Sequence, residues 1–396
     1  LQEPFSAYVF KTIIDPFVGR LSYCRIVSGT IHADATVLNA SKYVREKLGH
    51  FYTVLGKRHV AVDSVRAGEI VAIGKLKDTH TGDTLCQETA PICYPILSLP
   101  KPILSFAIDA KSKTDIDKVS LGLHKLIEED PTLVFARNAE TKEMVLSGMG
   151  QFHIDLALEK LHRKFGADVR LHTPKVPYRE TLKTKSQAQG KYKKQTGGHG
   201  QYGDCWLEIA PRPRGHGYVF ENRVVGGVIP RNFIPAVEKG VLDAMHEGPL
   251  SGFPVVDVQV AVYDGSYHAV DSSEMSFKIA GSMAFKKAIE TAHPVLLEPV
   301  MTVEIDTPTD AVGAVMGDLS ARRGRILAVT AHNHAEQIKA LVPLAELLRY
   351  ATALNAMTGG RGSYAMDFAQ YDEVPRELAA KVIERQKAEG QAAATH

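Results

Sequence analysis

At 396 residues the chain is longer than one ordinary hydrophobic core organises, and length alone predicts about two to four domains. Hydrophobic residues make up 44% and charged residues 23%, a soluble globular composition, and a net charge of +2 excludes a strongly basic surface overall. Any nucleic-acid binding must therefore come from local patches. No apolar run is long enough to cross a membrane, and the N-terminus lacks the basic-then-apolar pattern of a signal peptide, so a cytoplasmic protein is expected. Leu1 is not an initiator methionine, which leads us to expect an N-terminal domain upstream. Cys24, Cys86, Cys93 and Cys205 are scattered without a C-x-x-C pair and read as buried, reduced thiols.

Residues 1–95 read as short strands, apolar at 7–13, 36–38 and 70–73 and interrupted by Asp15-Pro16, Ser28-Gly29, Ala67-Gly68 and Thr81-Gly82-Asp83. That spacing predicts a small β-barrel. Pro91, Pro95, Pro100 and Pro102 then mark a stiff linker. Residues 96–173 predict a strand at 103–108 and a helix at 115–129 with Ile116, Val119, Leu123 and Ile127 inward. Strands at 132–136 and 143–147, a helix at 151–165 and a strand at 168–171 follow. The order βαββαβ is that of a ferredoxin-like split-βαβ sandwich.

The segment 174–296 predicts an α+β domain. Val256, Val258, Val260 and Val262 alternate with polar or small residues as a half-buried strand, and 233–246 reads as a helix. A second helix over 272–291 is expected to use Asp271 as N-cap, with Glu274 completing a capping box and Met275, Ile279 and Met283 as the inward stripe. Residues 297–371 repeat the βαββαβ order: strand 300–305, helix 310–321, strands 325–330 and 337–341, helix 345–355 and strand 363–368. Residues 372–396 predict a charged helix to Lys387 and then a frayed tail. The fold class is thus multidomain α+β: a barrel, two ferredoxin-like sandwiches and an α+β domain between them.

Chemistry concentrates in residues 181–203. Lys183, Lys185, Lys191, Lys193 and Lys194 occur there without any acid, and Gln195-Thr-Gly-Gly-His-Gly-Gln-Tyr-Gly203 sets four glycines around His199 and Tyr202. Glycines let backbone approach a phosphate, lysines supply charge, and Tyr202 offers a ring for stacking; a solvated hairpin would need the same residues. A second loop, Asp264-Gly-Ser-Tyr-His-Ala-Val270, places Tyr267 and His268 before a helix N-terminus, where an anion is favoured. His268, Asp271 and Ser272 have the residue types of a hydrolase triad but lack the Gly-x-Ser-x-Gly elbow. His332-Asn-His334 has spacing for a metal without a completing ligand, so a turn is expected. Arg322, Arg323 and Arg325 end a helix and suit either its dipole or an RNA backbone. No G-x-x-x-x-G-K-[ST] motif is present, so this chain is expected neither to bind nor to hydrolyse a nucleotide.

Those residues also carry a resemblance. Asp15-Pro-Phe-Val-Gly19 and Thr81-Gly-Asp-Thr-Leu-Cys86 resemble the barrel domain that follows the GTPase domain of elongation factor G. Glu129-Asp-Pro-Thr132 and Ser147-Gly-Met-Gly150 look like its third domain. Residues 197–203, Tyr267-His-Ala-Val-Asp-Ser-Ser-Glu-Met275 and Ile279-Ala-Gly-Ser-Met-Ala284 resemble its fourth. Met316-Gly-Asp-Leu319, Arg322-Arg-Gly324 and Tyr350-Ala-Thr352 resemble its fifth.

The resemblance implies a ribosome-binding translocase of bacterial type, whose fourth domain, similar to the second domain of ribosomal protein S5, reaches the decoding region. It implies tRNA or mRNA contact by Gln195, Gly197, Gly198, His199, Gly200, Gln201, Tyr202, Tyr267 and His268. It likewise implies rRNA contact by Lys191, Lys193, Lys194, Arg322, Arg323 and Arg325. GTP and Mg would belong to the upstream domain; the partners are the ribosome, tRNA and mRNA, and the protein is expected to be a monomer. The family's first tip loop carries Arg where this chain has His199, and its second carries Asp in place of Ala269; Gln151 replaces a Glu. These departures leave ribosome recycling or ribosome protection by the same architecture as an alternative. A free-standing RNA-binding protein is a third reading, which a P-loop upstream of Leu1 would exclude.

Overall fold

The computed structural model describes residues 3–15, 19–56, 58–195, 200–332 and 335–394. It comprises two compact units, Leu1–Lys175 and Val176–His396.

The first unit opens with β1 (Ser6–Asp15), β2 (Gly19–Ser28), β3 (Thr30–His32), β4 (Thr36–Asn39), β5 (Val44–Lys47), β6 (Phe51–Leu55), β7 (Arg58–Val62), β8 (Ser64–Arg66), β9 (Ile70–Gly74) and β10 (Thr84–Cys86). An antiparallel sheet in the order β5-β4-β10-β1-β2-β9-β6-β7, with β3 paired to β8, curls around one core as the expected barrel. Alternate residues such as Ala7, Val9, Cys24, Ile26 and Phe51 fill that core. Cys24, Cys86 and Cys205 are buried, as expected, but Cys93 is exposed. The correction has a simple cause, since Cys93 sits in the proline-punctuated segment that belongs to no sheet.

The ferredoxin-like sandwich follows as β11 (Leu104–Ala110), α1 (Ile116–Glu129), β12 (Val134–Arg137), β13 (Met144–Gly148), α2 (Gln151–Phe165) and β14 (Val169–His172), with strand order β12-β13-β11-β14. Ile116, expected inward, is exposed, and Gly122 and Leu126 are buried instead. The reason is close helix packing: a Cβ on Gly122 would lie 2.5 Å from Leu161 Cδ1, so the contact face is centred on the glycine.

In the second unit the α+β domain consists of β15 (Arg179–Leu182), β16 (Ser186–Lys194), β17 (Gln201–Pro211), β18 (Val219–Asn222), α3 (Ile234–Met245), β19 (Val258–Ser266) and α4 (Glu274–Thr291). Its sheet runs β16-β17-β19-β18, with α3 and α4 on the face lined by Cys205, Leu207, Val260 and Val262. The stripe expected on α4 is wrong. Met275 is exposed, and the buried face is Ser276, Phe277, Ala280, Gly281, Ala284, Phe285, Ala288 and Ile289. A Cβ on Gly190 would lie 2.0 Å from the Ala280 carbonyl, and one on Gly240 1.9 Å from that of Lys278. The helix therefore sits so close to both the sheet and α3 that small residues occupy the points of contact, with Phe277, Phe285 and Ile289 filling the core around them.

The last sandwich is β20 (Pro294–Pro308), α5 (Val312–Ala321), β21 (Arg325–His332), β22 (Ala335–Pro343), α6 (Leu344–Leu347), α7 (Tyr350–Thr358) and β23 (Ser363–Glu373), closed by α8 (Arg376–Ala394). Its order, β21-β22-β20-β23, repeats that of the first sandwich, and β15 adds to the early part of β20. The single helix expected at 345–355 is two. Arg322 donates from Nη1 to the Glu346 carbonyl at 2.8 Å, engaging the acceptor that a continuous helix would offer to Tyr350. Helix α8 runs to Ala394 where a frayed tail was expected; the Ala, Gln, Lys and Glu residues there favour helix. His332 pairs with Ala335 at the ends of β21 and β22, and the turn expected between them, with Asn333 and His334, lies outside the described residues.

Candidate nucleic-acid interface at the tip of the sheet

Strand β17 is antiparallel to both β16 and β19, so the β16–β17 turn and the β19–α4 loop emerge at one end of the sheet. The structure thereby brings together the two loops singled out in the sequence. Asp271 joins them: its Oδ1 accepts the Gly200 N–H at 3.0 Å and its carbonyl accepts the Tyr202 N–H at 2.8 Å. Ser272 Oγ donates in turn to the Tyr202 carbonyl at 3.0 Å. A side chain on Gly200 would press on the Asp271 carboxylate, with its Cβ 3.0 Å from Cγ. Asp271 is consequently not the N-cap of α4. Ser273 takes that role, its hydroxyl accepting the Ser276 N–H at 3.2 Å, and the helix begins at Glu274 rather than Ser272.

His268 stands at the outer edge of this junction, its side chain 58% exposed, with Nδ1 3.3 Å from Asp271 Oδ2. Its own N–H donates to Ser272 Oγ at 2.9 Å. Because the Ser272 hydroxyl donates to a carbonyl, it is not directed at the imidazole, and His268, Asp271 and Ser272 form a loop clasp rather than a triad. The buried Cys24 and Cys205 thiols are pushed up to about 12 by desolvation, so neither is a nucleophile at neutral pH.

Tyr202, whose position suggested a ring for stacking, is also tied into the tip through its hydroxyl. Its hydroxyl lies 2.7 Å from Ser266 Oγ, which donates to Asp204 Oδ2 at 2.7 Å, while Gln189 donates to Asp204 Oδ1 at 2.8 Å. Lys191 Nζ lies 5.9 Å from the Tyr202 ring centroid. Tyr202 thus braces the tip. Asp204 and Ser266 were not singled out in the sequence, although period-two alternation already puts Asp204 on the face of Tyr202. Gly203 is structural too, since a Cβ there would lie 2.4 Å from the Ser276 carbonyl.

Among the described residues, Lys191, Lys193, Lys194, Gln195, Gln201, Tyr267 and His268 are exposed at the tip. Exposed Val270 and Met275 join them, Met275 unforeseen because it was assigned inward. Gln201 Oε1 accepts the Tyr192 hydroxyl at 3.0 Å. Gly197, Gly198 and His199 lie outside the described residues. The exposed set can offer cations and an aromatic edge to RNA; among the described residues of the tip no acid, base and nucleophile are arranged together.

The arginine group is elsewhere, on the last sandwich, and only part of it is available. Arg323 forms a bidentate pair with Glu298 at 2.5 and 3.0 Å and reaches Glu346 at 3.1 Å. Arg322 holds Asp318 at 2.7 Å and lies 5.3 Å from the Tyr350 ring centroid. Arg325 alone of the three is exposed. Glu298, the partner that explains Arg323, gave no sequence signal because it stands 25 residues away.

Four family models match in chain order. These are elongation factor G domain 2 over residues 4–88, domain III over 99–173, domain IV over 174–293 and the elongation factor G C-terminus over 295–382. Among solved structures, a crystal structure of a protein from Thermus thermophilus superposes with a TM-score of 0.84 at 42% sequence identity. The match covers 98% of this chain and 58% of that one, so the chain spans little more than half the length of this relative.

Proposed function

We propose a function from the premise that this chain belongs to the elongation factor G family. It is the ribosome-binding portion of a translational GTPase, and its tip contacts tRNA or mRNA as the ribosome advances by one codon. The observation that carries this reading is the junction at Asp271, which makes two loops into one end and leaves lysines, Tyr267 and His268 outward. GTP hydrolysis, with its GTP and Mg, belongs in this reading to a domain of the parent protein upstream, and the protein works as a cytoplasmic monomer. No helix among the described residues is long and apolar enough to cross a membrane. A second reading, ribosome recycling or protection, is supported by Ala269, exposed in the loop where the family carries an Asp.

Replacing His268 with Ala separates these roles. The side chain is exposed and makes only long contacts to Asp271, so stability is expected to change by no more than about 0.5–1 kcal/mol. In the full-length protein, codon movement slows while ribosome-stimulated GTP hydrolysis is spared, as single-round translocation and phosphate release would report. Unchanged translocation with slowed subunit splitting would move the assignment to recycling.

Changing Lys191, Lys193 and Lys194 together to Ala tests the tip as an RNA contact. Ribosome affinity is expected to fall, and the slope of log K against log salt to flatten by about one unit per lost phosphate contact. An unchanged slope in a binding titration means that the lysines are merely solvated.

A further inference from the structure

The end of the sheet opposite the tip carries a second basic element. Residues 211–217 read Pro-Arg-Pro-Arg-Gly-His-Gly, with no acid, between β17 and β18. An arginine-rich turn of this kind is ordinarily mobile, yet here a buried acid holds it in shape. Asp257, 4% exposed, accepts the Gly215 N–H at 3.1 Å and the Gly217 N–H at 2.8 Å through its two carboxylate oxygens. Its carbonyl accepts the Arg212 N–H at 2.9 Å. Asp257 itself adopts φ +56°, in the left-handed region that a non-glycine residue occupies at a cost. From within the turn, Arg212 donates to the carbonyls of His216 and Gly217. Next along the chain, Tyr218 packs on the domain core.

This bonding sorts the cations. Arg212 is engaged in shaping the loop, whereas Arg214 and His216 project from it exposed. We propose that residues 212–217 form a second, preorganised contact for RNA phosphate, presenting Arg214 and His216. An arginine fork matches phosphate oxygens, and a loop already fixed loses little entropy when a partner arrives. The contact is distinct from the tip: β17 separates them by its 11 residues, roughly 35 Å of extended chain. Two separated contacts set the orientation of a domain on RNA, which one cannot. The inference rests on the ribosome-binding reading above.

The test uses this chain and bacterial 70S ribosomes. In the double variant Arg214→Ala/His216→Ala, the slope of log K against log salt is expected to fall by about 0.7–0.9 while the thermal midpoint stays unchanged. A cleaving iron chelate tethered at Arg214→Cys, in a Cys93→Ser background, is expected to cut rRNA at positions different from those reached from Lys193→Cys. An unchanged slope overturns the proposal, as does a reduced slope without rRNA cleavage, which would assign the loop to a ribosomal protein. If Lys191, Lys193 and Lys194 still contribute in either case, the functional reading stands and only this inference falls. If the chain shows no saturable ribosome binding, the functional reading itself fails.

Discussion

Arg323→Met should destabilise the second unit by about 2–4 kcal/mol and lower its denaturation midpoint, before any ribosome is present. Arg323 pairs bidentately with Glu298, whose side chain is only 4% exposed, and the change strands that carboxylate in the protein interior. Breaking a fully buried pair costs about 3–5 kcal/mol, and the expected loss is smaller here because 26% of the Arg323 side chain remains in contact with solvent. The ion pair also holds Arg323 at φ +60° just beyond α5, a position that favours glycine. The same charge was expected from sequence to contact rRNA. A variant of normal stability and weakened ribosome affinity would restore that role; loss of stability in chemical denaturation assigns the residue to the fold. Arg325→Ala serves as the contrast, since an exposed arginine is expected to leave stability nearly unchanged.

Glu180→Ala is expected to cost roughly 3–6 kcal/mol. The Glu180 side chain is fully buried, and its carboxylate accepts the N–H groups of Leu250 at 3.0 Å, Ser251 at 3.0 Å and Phe253 at 3.2 Å. Each donor left without a partner costs about 1–3 kcal/mol. Gly248 is part of the same arrangement, because a Cβ there would lie 2.2 Å from Glu180 Oε2. Burial raises the pKa of Glu180, and the backbone donors offset this only in part. The folded protein therefore holds this proton more tightly than the unfolded chain. Its contribution to stability is full below the ordinary glutamate pKa and is lost as pH rises through the raised folded value. Glu180→Gln, which keeps an acceptor for Ser251 and Phe253 but turns an amide toward Leu250, should be intermediate and lack this pH dependence. A Glu180→Ala protein as stable as the parent in urea titrations would show that the 248–253 loop finds other partners.

The candidate interface was legible in outline, whereas the contacts that shape it were not. Lysine without acid, glycine clustering and a Tyr-His pair are compositional signals that need no partner to be seen, and they located both tip loops. The role of Asp271 was hidden, because a helix N-cap and a cross-loop acceptor look the same from one segment. Tyr202 was read only as a ring for stacking; the tie of its hydroxyl to Ser266, 64 residues away, gave no sequence signal. For the arginines, a helix dipole or an RNA backbone was expected, and the ion pairs of Arg323 were missed because Glu298 and Glu346 lie beyond any local window.

The sequence alone determined the βαββαβ order of the two sandwiches, apart from the break between α6 and α7, and the barrel between turn signals, since these follow from hydrophobic period and turn chemistry. It also determined the absence of a P-loop in these residues. Only the tertiary structure decided which face of α4 is buried, because the close approach of Gly190 and Gly240 sets small residues such as Ala280, Gly281 and Ala284 at the contact points, with Phe277, Phe285 and Ile289 filling the core between them. It alone decided which charges remain available, since an ion pair depends on distance in space and not on spacing along the chain.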